Sequence, residues 1–182
     1  AMVKETFGVT PSGNWEGNTI LNRSHHLAIG DPQFEGDLAR ACNVLYEVRE
    51  QRIRPGWDDK ILADWNGMMI GAVARAAAVF GEAGWLAAAE RAWTFVAGKM
   101  SDGDRLWHAA RDGKVRNAGM LEDYANMAQA GLVLFEVTGT PAYLERARAW
   151  TATLDEFFWD AAQGGYYQTA SDGEQLIARP RN

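Results

Sequence analysis

Cysteine is almost missing from this sequence: Cys42 is the only one in 182 residues. That excludes a disulfide within the chain and any metal spacing built on paired cysteines. Three histidines, with no HExxH-like arrangement, leave no sequence pattern for a metal centre. Runs of lysine and arginine are missing too, and 18 basic against 24 acidic residues give a net charge of −6. Nucleic acids and anionic membranes both want a basic face, so neither is expected as a partner. The longest apolar run, residues 67–81, carries Arg75 and is too short to span a bilayer. The glycine patterns of phosphate loops, dinucleotide sites and nucleophile elbows do not occur, and no cofactor is expected. Little cysteine and no visible signal peptide are the composition of a cytoplasmic protein.

Tryptophan is what the chain has in excess, with eight residues. Two readings stand side by side: aromatic packing between helices, and stacking platforms for a ligand with flat apolar faces such as a sugar ring. Residues 1–33 are rich in Gly, Asn, Ser and Pro and read as an irregular lead-in with room for one short strand. Beyond it the pattern is helical. An apolar stripe of Phe34, Leu38, Ala41, Leu45 and Val48 predicts a helix over 34–51. Ile61, Leu62, Trp65, Met68, Met69, Ala72, Val73, Ala76, Ala77 and Phe80 predict a second over 59–80. Further helices are predicted over 85–100, 121–138 and 142–159, the last with Pro141 well placed at its start. Asp-Gly-type turns flank Leu106-Trp107-His108, which reads as a small β-hairpin, and 163–177 reads as another.

These segments repeat. Asp64-Trp65 matches Asp123-Tyr124, Met68 matches Met127, Gly81 matches Gly139, Ala92-Trp93-Thr94 matches Ala149-Trp150-Thr151, and Asp112-Gly113 matches Asp172-Gly173. The spacing drifts between 57 and 60 residues, the mark of a helical-hairpin repeat with a short β excursion in each unit. The first helix of each unit (59–80, 121–138) is apolar on most of its circumference, so burial on both sides is expected, and the second has a polar face, which predicts an inner and an outer layer. The fold class read from this is all-α: a partial (α/α)6 toroid over 34–182 with short β-hairpin excursions. Gly67 and Gly71, four apart on an inner helix, predict close helix packing. A partial ring leaves apolar flanks open, so self-association is expected.

Toroid geometry gathers like ends of inner helices at one mouth. Asp58, Asp59 and Asp64 stand at the start of one inner helix, and Glu122, Asp123 and Tyr124 at the start of the next. Acids there are also ordinary caps, favoured by the helix dipole, and Lys60 is placed to neutralise a neighbour. Their number and repetition point further, to recognition of a polyol. Carboxylates accept bidentate hydrogen bonds from sugar hydroxyls and serve as acid and base in glycoside cleavage. On this reading Asp58, Asp59, Asp64, Glu122 and Asp123 contact hydroxyls, Trp65 and Tyr124 stack, and Lys60 and Asn66 orient. His108 sits on an excursion that overhangs the mouth, where an epimerase-type proton abstraction would want a histidine. The alternative is a scaffold that presents partners, with each acid tied up in a cap or an ion pair.

The blocks "GNWEGNTIL" (13–21), "RIRPGWDDKILADWNGMMIGAVARAA" (52–77), "LEDYANMAQAGLVLFEVTG" (121–139) and "FFWDAAQGGYYQTASDGEQLIARPR" (157–181) resemble the α/α-barrel part of the YyaL-like proteins. These are thioredoxin-domain-containing relatives of the mammalian spermatogenesis-associated thioredoxin-like protein. The resemblance runs through nearly the whole chain in order. It implies a thioredoxin-like module in the parent chain and a barrel similar to six-hairpin glycosidases and N-acylglucosamine 2-epimerases. It therefore implies carbohydrate metabolism through the barrel, or a non-catalytic barrel attached to the thioredoxin-like domain. The paired cysteines of that module and the hairpins that would close the ring are not in this sequence, so it is expected to be one part of a larger barrel.

Overall fold

The computed structural model describes residues 2–174 and 176–181. It divides into two compact units between Trp57 and Asp58. In the first, a five-residue helix α1 (Met2–Thr6) is followed by irregular chain and then by α2 (Pro32–Glu50). The helix α2 starts where the residues direct: Asp31 accepts from the Phe34 N–H, and Pro32 occupies the first turn, where no N–H is needed. The lead-in thus carries a helical turn and one isolated bridge, Trp15 to Asn18, where a strand was expected. The predicted helix over 34–51 groups with the lead-in in this unit.

The second unit runs β1 (Ile61–Leu62), α3 (Ala63–Phe80), α4 (Ala83–Lys99), β2 (Ser101–Asp102), β3 (Arg105–Arg111), β4 (Lys114–Ala118), α5 (Leu121–Thr138) and α6 (Pro141–Phe157). Helix α3 packs on α5, and each packs on the helix that follows it. The repeat read in the sequence is a repeat of structure. Gly81 and Gly139 end α3 and α5 in the same left-handed conformation, φ 71° and 70°, and their N–H groups bond Ala77 and Phe135 carbonyls. The matched tryptophans Trp93 and Trp150 meet with ring centroids 5.2 Å apart, and Tyr143 packs edge-on to Trp93 at 5.4 Å. The close-packing reading of Gly67 holds at the atomic level. A Cβ there would stand 2.6 Å from the Asn126 carbonyl carbon and 2.8 Å from the Met127 nitrogen, so α3 and α5 touch backbone to backbone.

Three expectations are corrected. Helix α3 begins at Ala63 and not near residue 59, because Ile61 and Leu62 pair with Ala110 and Ala109 of β3 as a short strand. Asp58 and Asp59 therefore precede the helix and cap nothing. Helix α3 is also not buried on both sides. Ala63, Gly67, Ile70, Gly71, Ala74 and Ala77 form its buried seam, while Trp65, Met68, Met69, Val79 and Phe80 are exposed. Small residues at the seam let α5 come close, and the large residues are left on the opposite flank. The closing hairpin, finally, is a loop with two isolated bridges, Trp159 to Tyr166 and Tyr167 to Arg181. Gly164 and Gly165, at φ 74° and 91°, turn the chain earlier than the Asp172-Gly173 pair. Gln175 of that segment lies outside the described residues. Among the described residues no helix is long and apolar enough to cross a membrane.

Candidate functional site

The mouth is organised by one buried carboxylate. Asp123 lies in the first turn of α5 and is fully buried. Its Oδ2 accepts from the Met120 N–H at 2.7 Å, capping its own helix. Its Oδ1 accepts from the Asp64 N–H at 2.9 Å, which supplies an acceptor to the first turn of α3, a helix whose N-cap Leu62 offers none. The matched aspartates of successive repeats are thus in direct contact, and one of them caps two helices. The His108 Nδ1 lies 3.0 Å from Oδ2 and 3.1 Å from Oδ1. Burial pushes the Asp123 carboxyl above its ordinary value. The Met120 N–H and His108 pull it back without cancelling that rise, and nearby Asp64 adds to it.

The network favours one histidine tautomer. Both Asp123 oxygens already accept backbone N–H groups, so the carboxylate acts as an acceptor and Nδ1 donates. The neutral ring then carries its lone pair on Nε2, on the side away from Asp123. His108 lines a pocket of about 350 Å3 with Asp58, Lys60, Leu62, Trp65, Asn66, Ala109 and Asn117. Trp65 is 64% exposed, so its indole face is open to a ligand. Asn66 spends its amide N–H on the Leu62 carbonyl at 2.8 Å, which leaves its carbonyl oxygen to the pocket.

The other candidates are placed differently. Tyr124 is a core residue: it has no exposed surface, its ring packs on Phe158 at 5.4 Å, and its hydroxyl accepts from the Leu106 N–H at 2.9 Å. It is not a stacking platform, because the α5 position that follows Asp123 turns into the protein. Asp123 itself is too deep to touch a ligand hydroxyl. Asp58 pairs with Lys60 at 3.1 Å, and that ammonium holds the Asp58 carboxyl below its ordinary value. Asp59 pairs with the Arg111 Nε at 2.7 Å. Asp64 accepts from the Trp65 N–H at 2.7 Å. Glu122 is half-buried and has no ion pair among the described residues. Two residues escaped sequence reading. The Asp112-Gly113 turn signals the hairpin that carries Arg111 and Asn117, but nothing local shows that β1 pairs with β3 and brings the hairpin to the start of α3.

Asp64, His108 and Asp123 offer ligand atoms within 4.8 Å of one another. Spacing rules do not reach such a cluster, because its members come from three elements. Both Asp123 oxygens, His108 Nδ1 and Asp64 Oδ1 are engaged in hydrogen bonds with one another or with backbone N–H groups.

The fold and this site define a class: part of an α/α toroid with a pocket between the start of one inner helix and the small sheet beside it. Solved structures of the same fold include cellobiose 2-epimerase from Spirochaeta thermophila, with a TM-score of 0.56, 17% identity, and 62% of this chain matched to 30% of that one. The GH76 alpha-mannanase of Bacteroides thetaiotaomicron gives a TM-score of 0.57 at 16% identity, over 75% of this chain and 42% of that one. In sequence the chain is 30% identical to human spermatogenesis-associated protein 20 over 174 residues, which are 86% of this chain. The chain spans 22% of that relative's length. No protein-family model matches it.

Proposed function

We propose that this chain is a carbohydrate-handling part of an α/α barrel, with the pocket between Trp65 and His108 as its polyol site. The observation that carries the reading is the pairing of an exposed indole face with a histidine oriented by a buried carboxylate. Trp65 offers a platform for the apolar face of a sugar ring. Asn66, Asn117 and the carboxylate of Asp58 ring it with hydrogen-bonding groups of both kinds. His108, with Nδ1 bound to Asp123, presents Nε2 as a proton acceptor, and the carboxylate behind it stabilises the imidazolium that proton uptake forms. The reaction class this suits is proton transfer at a sugar carbon or hydroxyl.

A thermal-shift screen against mono- and disaccharides, amino and phosphorylated sugars included, tests the reading. A sugar that raises the midpoint of the parent but of neither Trp65→Ala nor His108→Ala supports it. Silence across the panel, or a shift that both variants keep, overturns it.

A second reading has its own support. Asp58 and Asp59 are held in ion pairs and Asp123 is consumed in capping, as a scaffold would have them. On that reading the barrel presents partners to a thioredoxin-like module of the parent chain. Co-purification of such a module with the barrel, abolished by charge reversal on the exposed flank of α3, would favour it.

A further inference from the structure

We infer that the sugar taken by this site carries an anionic group, seated on cationic side chains of the small sheet beside the Trp65 pocket. The inference rests on the carbohydrate reading of that pocket. Strand β3 is the centre of a four-stranded sheet: Ala109 faces Arg116 and Arg111 faces Lys114 on β4, while Ile61 and Leu62 of β1 face Ala110 and Ala109. Directly opposed residues of an antiparallel pair project to the same side, and residues two apart share it. Arg111, Lys114 and Arg116 therefore stand together. Continuing the β1 register by one residue brings Lys60 into the row of Arg111.

Lys60, Arg111 and Arg116, though not Lys114, wall a second pocket of about 330 Å3 with Ala109, Ala110, Asp112 and Asn117. Lys60, Ala109 and Asn117 line both pockets, so the two adjoin; His108 alternates to the side of β3 opposite Arg111 and Arg116, so a ligand that uses all three extends past the strand from one pocket to the other. In a chain of net charge −6, three cations around one small cavity are a local departure from the average. Their neutralisation is uneven. Lys60 has Asp58 and Arg111 has Asp59 and, at 3.8 Å, Asp112, whereas Arg116 has no ion-pair partner among the described residues. Arg111 meets both acids through Nε, which leaves the terminal nitrogens of its guanidinium for a planar or tetrahedral oxyanion. Ala109, directly across from Arg116, is too small to fill the space in front of it. A neutral sugar in the Trp65 pocket would leave that space and that charge unused.

The shared chemistry is an oxyanion on a polyol, as carboxylate or as phosphate. The test titrates the 182-residue chain with matched sets: a neutral hexose, the corresponding uronate and the corresponding 6-phosphate. The expected result is at least about tenfold tighter binding of an anionic member at low ionic strength, an advantage that shrinks as salt is raised. Arg116→Gln removes most of the advantage and Arg116→Lys restores part of it. Preference for the uronate or for the phosphate identifies which oxyanion the site takes. Equal binding of neutral and anionic members, or an anionic preference that Arg116→Gln leaves intact, overturns the inference while the carbohydrate reading survives. Binding of no member overturns both.

Discussion

Asp123→Asn tests the reasoning about the mouth most directly. The substitution keeps shape and changes one oxygen to an amide nitrogen. Asp123 accepts from Asp64 N–H at 2.9 Å on one oxygen and from Met120 N–H at 2.7 Å on the other. An asparagine can accept at only one of these places, and its NH2 meets a donor at the other. A backbone N–H left without an acceptor costs about 1–3 kcal/mol. Part of this is offset, because the variant no longer buries a carboxylate. A net loss of about 2 kcal/mol is expected, or roughly 4–8 °C in midpoint for a chain of this size. The pH dependence follows from the raised carboxyl. A folded-state value above the unfolded one contributes stability that is fully present below the ordinary carboxylate range and lost as pH rises through the raised value. The asparagine does not titrate there, so the gap between parent and variant is widest in acid and narrows toward neutrality. Urea unfolding of both proteins between pH 4 and pH 7 measures this, and nitrogen-15 shifts of His108 report its tautomer. A variant equal to the parent at every pH, with the proton still on Nδ1, would refute the claim that Asp123 caps two helices and sets the histidine.

Gly67→Ala forces a methyl into backbone atoms of α5 that cannot step aside, and overpacking of this kind costs about 3 kcal/mol, read as a fall in the denaturant midpoint. Tyr124→Phe leaves the Leu106 N–H without its acceptor and lowers stability by about 1–3 kcal/mol, with no change in sugar binding beyond what unfolding explains. Trp65→Ala changes stability by no more than about 0.5 kcal/mol, because the ring is exposed, yet abolishes the sugar-dependent rise in midpoint. The exposed Met68, Met69, Val79 and Phe80 are proposed to drive self-association, which light scattering detects as a concentration-dependent mass and which Met69→Glu weakens.

Much of the fold is legible without coordinates, because its determinants are local. The glycines that end α3 and α5, the proline that opens α6 and the small-residue seam of α3 act within a few residues of themselves. The recurrence of the helix-ending glycines, Gly81 and Gly139, with the other matched pairs near the same spacing, is enough to read a helical-hairpin repeat. The presence of acids and aromatics at successive inner-helix starts is legible for the same reason. Which of them faces a ligand is not. Two residues side by side in the chain, Asp123 and Tyr124, both turn inward, and only contacts with α3, β3 and Phe158 bring this about. Asp58 and Asp59 read as helix starters, yet pairing of Ile61-Leu62 with β3 moves the helix past them. Sequence places His108 on an excursion near the mouth, but only β3 sets it against a carboxylate 15 residues on. The sequence by itself determined the repeat, the layers and the supply of chemical groups, since periodicity and turn residues act locally. Tertiary structure alone decided which groups meet, because the hydrogen bonds that join Asp64, His108 and Asp123 span 15 to 59 residues and exist only once the helices have packed.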